Sequence, residues 1–221
     1  MEITLRSSQD DFSERQRSNA EIDRELEELL SKHRAKIKVV GIGGGGNNTI
    51  NRVTEIGVSG AETIAVNTDA QDLLYTNADV KILIGKETTG GLGAGSIPKI
   101  GEESAKENEQ EIKKRLHGAD MVFITCGLGG GTGSGAGPIV ATIAQDMGIL
   151  TVAVVTKPFS FEGPQRKAIA EQAYAELIGH VDTIITIPND RILQIIDKKT
   201  SLLDAFKIVD DVLRQGVQGI S

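Results

Sequence analysis

The chain of 221 residues has no tryptophan, one cysteine and an aromatic fraction of 3%. A platform that stacks single-stranded bases needs aromatic rings in number, so their scarcity argues against one. The lone Cys126 excludes a disulfide framework and any cysteine-based zinc cluster. His33, His117 and His180 are too far apart in sequence to give metal-ligand spacing. No apolar run approaches the ~20 residues of a membrane helix. The opening segment, MEITLRSSQDDFSERQRS, lacks the apolar stretch of a signal peptide. Positive charge is also short: 24 Lys and Arg face 31 Asp and Glu, for a net charge of −7. That disfavours a nucleic-acid or anionic-membrane surface, which needs a basic stripe. There is no repeating G-x-y period of the collagen kind. No G-x-x-x-x-G-K-[ST] occurs, and no lysine sits inside a glycine-rich loop, so a P-loop NTPase is excluded. A cytosolic globular protein remains, of one large domain or two small ones.

Glycine is absent from the first 40 residues and abundant after them. Of 26 glycines, 21 fall between Gly41 and Gly137. The first 36 residues instead carry charges of both signs, and Ile22, Leu26, Leu29 and Leu30 stand at helical spacing. Residues 1–35 are therefore expected to be a charged extension with a surface helix, and 36–221 the functional domain. From Lys36 onward, short β-branched runs alternate with amphipathic stretches. The runs are Ile37–Ile42, Thr63–Val66, Val80–Ile84, Met121–Thr125, Thr151–Val155 and Thr183–Ile187. Runs apolar on both faces suit parallel strands covered by helices on each side. Helices are expected over Asn48–Ile56, Ile97–His117, Pro138–Met147, Glu162–Ile178 and Ser201–Ile220. The fold class that follows is α/β: a three-layer, doubly wound (Rossmann-like), mostly parallel six-stranded sheet ending in a long central helix. Right-handed crossovers place the strand-to-helix loops along one edge, where a ligand site is expected.

Most of the glycines fall in those loops. Gly41-Ile42-Gly43-Gly44-Gly45-Gly46-Asn47-Asn48 follows the first run and fits G-x-G-x-x-G. Such a loop lets backbone approach a ligand while the next helix points its N–H groups and dipole at it, which suits a phosphate. A NAD-binding domain would explain this loop equally well. Gly127–Gly137 (GLGGGTGSGAG) follows the fourth run. It adds a second set of backbone donors, plus hydroxyls from Thr132 and Ser134, ahead of a helix with Pro138 near its first turn. A simple dinucleotide domain does not call for this second loop. Thr88–Gly95 (TTGGLGAG) forms a third stretch, able to close over a terminal phosphate. With no lysine in these loops, phosphate charge must be met by backbone N–H groups, helix dipoles and Mg²⁺. Cys126, at the end of the fourth run, reads as a small buried hydrophobe.

GGGTGSG at Gly129–Gly135 resembles the GGGTG[ST]G signature of the tubulin/FtsZ family. GIGGGGNN at Gly41, AVNTDAQDL at Ala65, GLGAG at Gly91, VTKPFSFEG at Val155, IPND at Ile187 and SLLDAF at Ser201 are similar to the prokaryotic cell-division branch of that family. The likeness runs over roughly residues 36–221. It implies a GTP- and GDP-binding domain, with Mg²⁺ held through the nucleotide's phosphates and water rather than directly by protein. By that resemblance Gly44, Gly45 and Asn48 contact phosphates, and Gly129, Gly130, Gly131, Thr132 and Gly133 form the principal phosphate loop. Ala94 and Gly95 approach the γ-phosphate, and Asn67 and Asp69 stand near the phosphate and metal region. Glu162 and Arg166 form the ribose- and phosphate-side pair; Pro164, between them, departs from the family pattern. Asn189, Phe206 and Asp210 form the base pocket, where a carboxylate at Asp210 suits the N1–H and 2-amino donors of guanine.

The resemblance further implies head-to-tail self-association in a cytoplasmic mid-cell division ring, without nucleic acid or membrane insertion. In the family a neighbouring subunit completes the site with an acidic N-x-D-x-x-D loop. No such run occurs after Ser201, so the catalytic loop and a C-terminal activation domain are expected to be absent here. Turnover and protofilament assembly by this chain alone are expected to be impaired, with the C-terminal domain or intact subunits as partners. Two alternatives stay open: an NAD(P)-binding oxidoreductase domain resting on Gly41–Gly46, and a module that holds nucleotide without catalysis.

Overall fold

A computed structural model describes residues 22–24, 35–57 and 60–195, together with 204, 207, 208, 211 and 215. The chain divides into two compact units, Met1–Ala35 and Lys36–Ser221. In the first, residues 22–24 are helical and the rest of the expected surface helix lies outside the described residues. Of the predicted helix Ser201–Ile220, Asp204, Lys207, Ile208, Asp211 and Gln215 are described, all helical.

The second unit is built on six strands: β1 (Ile37–Ile42), β2 (Ala61–Asn67), β3 (Val80–Leu83), β4 (Met121–Gly127), β5 (Leu150–Lys157) and β6 (Thr183–Pro188). All pair in parallel, in the order β3-β2-β1-β4-β5-β6. This is the predicted doubly wound α/β sheet. Alternation along the strands loads both of its faces. Val40, Ile42, Ile64, Ile124 and Val155 pack on one side; Val39, Phe123, Val152 and Val154 pack on the other.

The helices are α1 (Gly43–Ile56), α2 (Ala70–Tyr75), α3 (Lys86–Thr89), α4 (Pro98–Glu107), α5 (Glu109–Leu116), α6 (Thr132–Asp146), α7 (Pro164–Leu177) and α8 (Asn189–Ile195). Ile50 of α1 covers the second face. Ala105 of α4, Ile112 and Leu116 of α5, Val140 of α6 and Leu177 of α7 cover the first.

Four helix boundaries differ from the expected ones. α1 starts at Gly43 rather than Asn48, so the first glycine run is a helix turn and not a loop. Gly46 allows this: a Cβ there would sit 2.4 Å from the Thr125 carbonyl oxygen, so only glycine lets α1 lie against β4. α6 starts at Thr132, which puts Pro138 inside the helix instead of near its first turn. Glycine's low helix propensity hides this start, but packing overrides it, since a Cβ on Gly135 would meet the Pro98 oxygen at 1.9 Å. The stretch Ile97–His117 is two helices. The Asn108 side chain accepts from Gly85 N at 2.9 Å, and its backbone leaves the helical region (φ −106°, ψ 21°). Finally, Glu162 closes a short 3₁₀ turn over Ser160–Glu162, and Gly163 at φ +101° separates it from α7, with Pro164 in the first turn. The short helices α2, α3 and α8 were not anticipated.

Candidate functional site

β1 leads through α1 to β2 on one half of the sheet, and β4 leads through α6 to β5 on the other. Where neighbouring strands send their connections opposite ways, a crevice opens beyond their C-terminal ends. A cleft of about 510 Å³ occupies that place.

One end of it is backbone. Neither α1, of 14 residues, nor α6, of 15, has a side-chain N-cap or an acidic residue in its first turn. The N–H groups of these turns have no intrahelical partner, and both positive dipole ends face one space. Gly43, at φ +67°, turns the chain from β1 into α1; a Cβ there would lie 3.0 Å from Gly133 N. The two glycine segments therefore touch back to back. The nearby α2 behaves differently. Asp69 caps it by accepting from Gln71 N at 2.9 Å and Asp72 N at 3.1 Å.

The other end is made of side chains. Arg166 donates to Glu162 Oε2, and Phe159 N donates to Glu162 Oε1 at 2.8 Å. Among the described residues lining the cleft Arg166 is the one cation, and it is already ion-paired. Asn189 opens α8, is 5% exposed, and its Oδ1 has no hydrogen-bond partner. An unmet acceptor at a cleft wall suits an N–H or O–H donor from a ligand. Beside it, Asp190 accepts from Ser160 N at 2.9 Å and from Ser160 Oγ. The Ser160 hydroxyl, then its N–H, hold the Asp190 carboxyl below the ordinary aspartate value.

Of the expected site residues, Gly44, Gly45, Asn48, Gly130, Gly131, Thr132, Gly133, Glu162, Arg166 and Asn189 line the cleft. Asn67, Asp69, Ala94, Gly95 and Gly129 do not. Asn67 is buried, donates to Asp72 Oδ2 at 2.6 Å and accepts from Thr68 N. Ala94 is buried near Gly131, whose Cβ would come within 2.8 Å of it, while Gly95 is exposed. Gly129 lies beneath the start of α7. Phe206 and Asp210 lie outside the described residues. The hydroxyls expected to serve a ligand are engaged within the protein. Ser134 Oγ accepts from Gly129 N at 2.9 Å, and Thr132 Oγ1 lies 2.7 Å from Thr68 Oγ1.

Ile42, Gly43, Gly127, Leu128, Thr156 and Pro158 also line the cleft; they stand inside the quoted glycine loops and the VTKPFSFEG stretch but were not named as site residues. Each stands at or just beyond the C-terminal end of β1, β4 or β5, so the strand-end rule alone would have found them. Asp72 was missed as well. It joins Asn47, 3.3 Å away, to Asn67; it lies inside the AVNTDAQDL motif but was not named as a site residue. With Asn67 committed to Asp72 and Asp69 to capping, the end of β2 offers no free ribose-binding carboxylate, and the dinucleotide reading is not favoured. Cys126 is fully buried, and burial pushes its thiol up to about 12.

Residues 36–197 match the family described as Tubulin/FtsZ family, GTPase domain. The chain is 55% identical over 203 residues to "Cell division protein FtsZ" of Methanothermobacter thermautotrophicus, covering 92% of this chain and 53% of that protein. It is 58% identical over 200 residues to "Cell division protein FtsZ 1" of Pyrococcus woesei, covering 90% and 54%. The chain thus spans about half the length of the curated relatives it matches. Among solved structures it is similar to an empty FtsZ dimer from M. jannaschii, at TM-score 0.86 and 54% identity over 90% of this chain and 57% of that one. It shares a fold, at TM-score 0.75 and 22% identity over 84% of this chain and 57% of that one, with a GTPγS-bound CetZ2 protofilament from Haloferax volcanii.

Proposed function

The chain belongs to the tubulin/FtsZ family, and from that premise we propose that it binds GTP and GDP as the nucleotide domain of a polymerising cell-division GTPase. The observation that carries this reading is the pair of uncapped helix starts at Gly43 and Thr132, closing on one cleft with no free cation among its described lining residues. A di- or triphosphate satisfies their N–H groups, and Mg²⁺ supplies the remaining positive charge through phosphate oxygens and water. Asn189 Oδ1 accepts from the nucleoside, Glu162 and Arg166 stand on the ribose side, and Phe206 and Asp210 complete the guanine pocket. Asn67 and Asp69 act by shaping the wall behind the phosphates, and Ala94, Gly95 and Gly129 by positioning the loops around them.

The 221 residues hold nucleotide but hydrolyse GTP slowly, because an acidic loop from another subunit orients the attacking water. Head-to-tail association presents that loop, and residues 1–35 form a charged extension outside the nucleotide domain. The site of action is the cytoplasmic division ring. Among the described residues no helix is long and apolar enough to cross a membrane.

Competition binding tests the reading. A fluorescent GTP analogue should be displaced by GTP and GDP and resist ATP and NAD at equal concentration. Displacement by ATP or NAD as strong as by GTP would falsify it. GTP turnover should be near background for the chain alone and rise when an intact family member is added; no rise favours a nucleotide-holding module without catalysis.

A further inference from the structure

We infer that Asp190 and Ser160 are positioning residues that latch the nucleoside end of the cleft, fixing Asn189 and the Glu162–Arg166 pair relative to one another. This inference rests on the nucleotide reading above.

The two groups that face a nucleoside come from different elements. Asn189 stands where β6 gives way to α8. Glu162 ends the 3₁₀ turn that follows β5. The β5–β6 ladder pairs Lys157 with Pro188, beside Asn189, but stops short of that turn. Beyond the ladder, a polar contact and an apolar one join the turn to α8 among the described residues. Asp190, next to Asn189, accepts both the N–H and the hydroxyl of Ser160, the first residue of the turn. Phe159, one residue earlier and 1% exposed, packs in a small core with Ile192 of α8 and Ile187 of β6. The turn passes this fixed point on to Glu162, because Phe159 N donates to Glu162 Oε1 and Glu162 in turn holds Arg166.

The arrangement has a consequence for Asn189. Its Oδ1 is buried and has no partner among the described residues, so no bond to that oxygen fixes where it points. The neighbouring carboxylate does that through the backbone of the first turn of α8. A charge-assisted bond with two donors is directional as well as strong. Asp190 touches no cleft space itself and works through Asn189 on one side and Ser160 on the other.

The test separates the two ends of the ligand. Equilibrium binding of GDP and of inorganic tripolyphosphate, each with Mg²⁺, is measured for the 221-residue chain and for Ser160→Ala, Ser160→Thr and Asp190→Ala. The latch predicts a GDP Kd raised about fivefold in Ser160→Ala and Asp190→Ala. It predicts unchanged tripolyphosphate binding in both, and wild-type GDP binding in Ser160→Thr, which keeps the hydroxyl. Thermal melting identifies any variant that fails to fold, and Ser160→Ala reads the bond independently of Asp190. Equal weakening of GDP and tripolyphosphate in folded Ser160→Ala overturns the latch, as does unchanged GDP binding there. A wild-type chain that binds neither ligand overturns the nucleotide reading itself, and the latch with it.

Discussion

At one end of the cleft, where β1–α1 meets β4–α6, backbone packs on backbone, and at Gly46, Gly131 and Gly133 nothing larger than glycine fits. At the other end, where β5 and β6 finish, side chains hold the geometry: Glu162 bonds Phe159 N and Arg166, and Asp190 bonds Ser160. At the first end Gly46 and Gly133 are buried against neighbouring backbone; at the second the Ser160 and Arg166 side chains are exposed. Where backbone meets backbone no added atom is tolerated, yet few individual side chains are needed. A side-chain site tolerates substitution, but each loss changes its geometry. The contrast teaches that substitutions at the glycine end should register as stability, and those at the asparagine end as selectivity.

The largest effect should come from Gly46→Ala. Its methyl group would stand 2.4 Å from the Thr125 oxygen, and no flexible side chain is there to yield. Destabilisation of about 3 kcal/mol is expected, read as a lower urea midpoint with an unchanged slope. A variant that folds normally would break the comparison at once. Next comes Asn189→Ala. It removes a buried acceptor that already lacks a partner, so melting should hardly change, while GDP affinity drops about tenfold. A fall in melting temperature without loss of affinity would assign Asn189 to the fold. Asp69→Ala should cost about 1 kcal/mol through the lost cap on α2. A much larger loss of nucleotide affinity than of stability would place its carboxylate on the ligand or its metal. The smallest change belongs to Cys126. With its thiol pushed up to about 12, roughly one molecule in ten thousand is a thiolate at pH 8. A thiol reagent should label it only as the domain opens, and labelling should slow when GDP is bound.

The strands were legible because parallel strands buried on both faces are written as uninterrupted β-branched runs, and all six appear near where those runs stand. Helix starts were not legible in the glycine segments. Gly43–Gly46 and Gly133–Gly137 have poor helix propensity, and their helical state comes from close approach to Thr125, Gly127 and Pro98, which no local pattern reveals. The break at Asn108 has the same origin, a tertiary bond to Gly85. Ten expected site residues meet in one cleft: the glycine runs after strands marked its phosphate loops, while Glu162, Arg166 and Asn189 came from the resemblance to the family. Asp72, Ser160 and Asp190 stand inside the quoted motifs, but their roles were not legible, because a polar residue that secures another polar residue carries no spacing of its own.

The β1–β4 pairing has a further consequence for how the site comes into being. Ile37 aligns with Met121, and Ile42 with Cys126, across more than eighty residues of intervening chain. Closing so long a loop is slow, and parallel pairing returns no energy until the ends have met. During synthesis β1, β2 and β3 emerge together and can pair early, but an anion-binding pocket cannot exist before β4 has joined them. Nucleotide uptake by a growing chain would therefore report that this long-range pairing has formed, and each bound nucleotide would help to hold it closed.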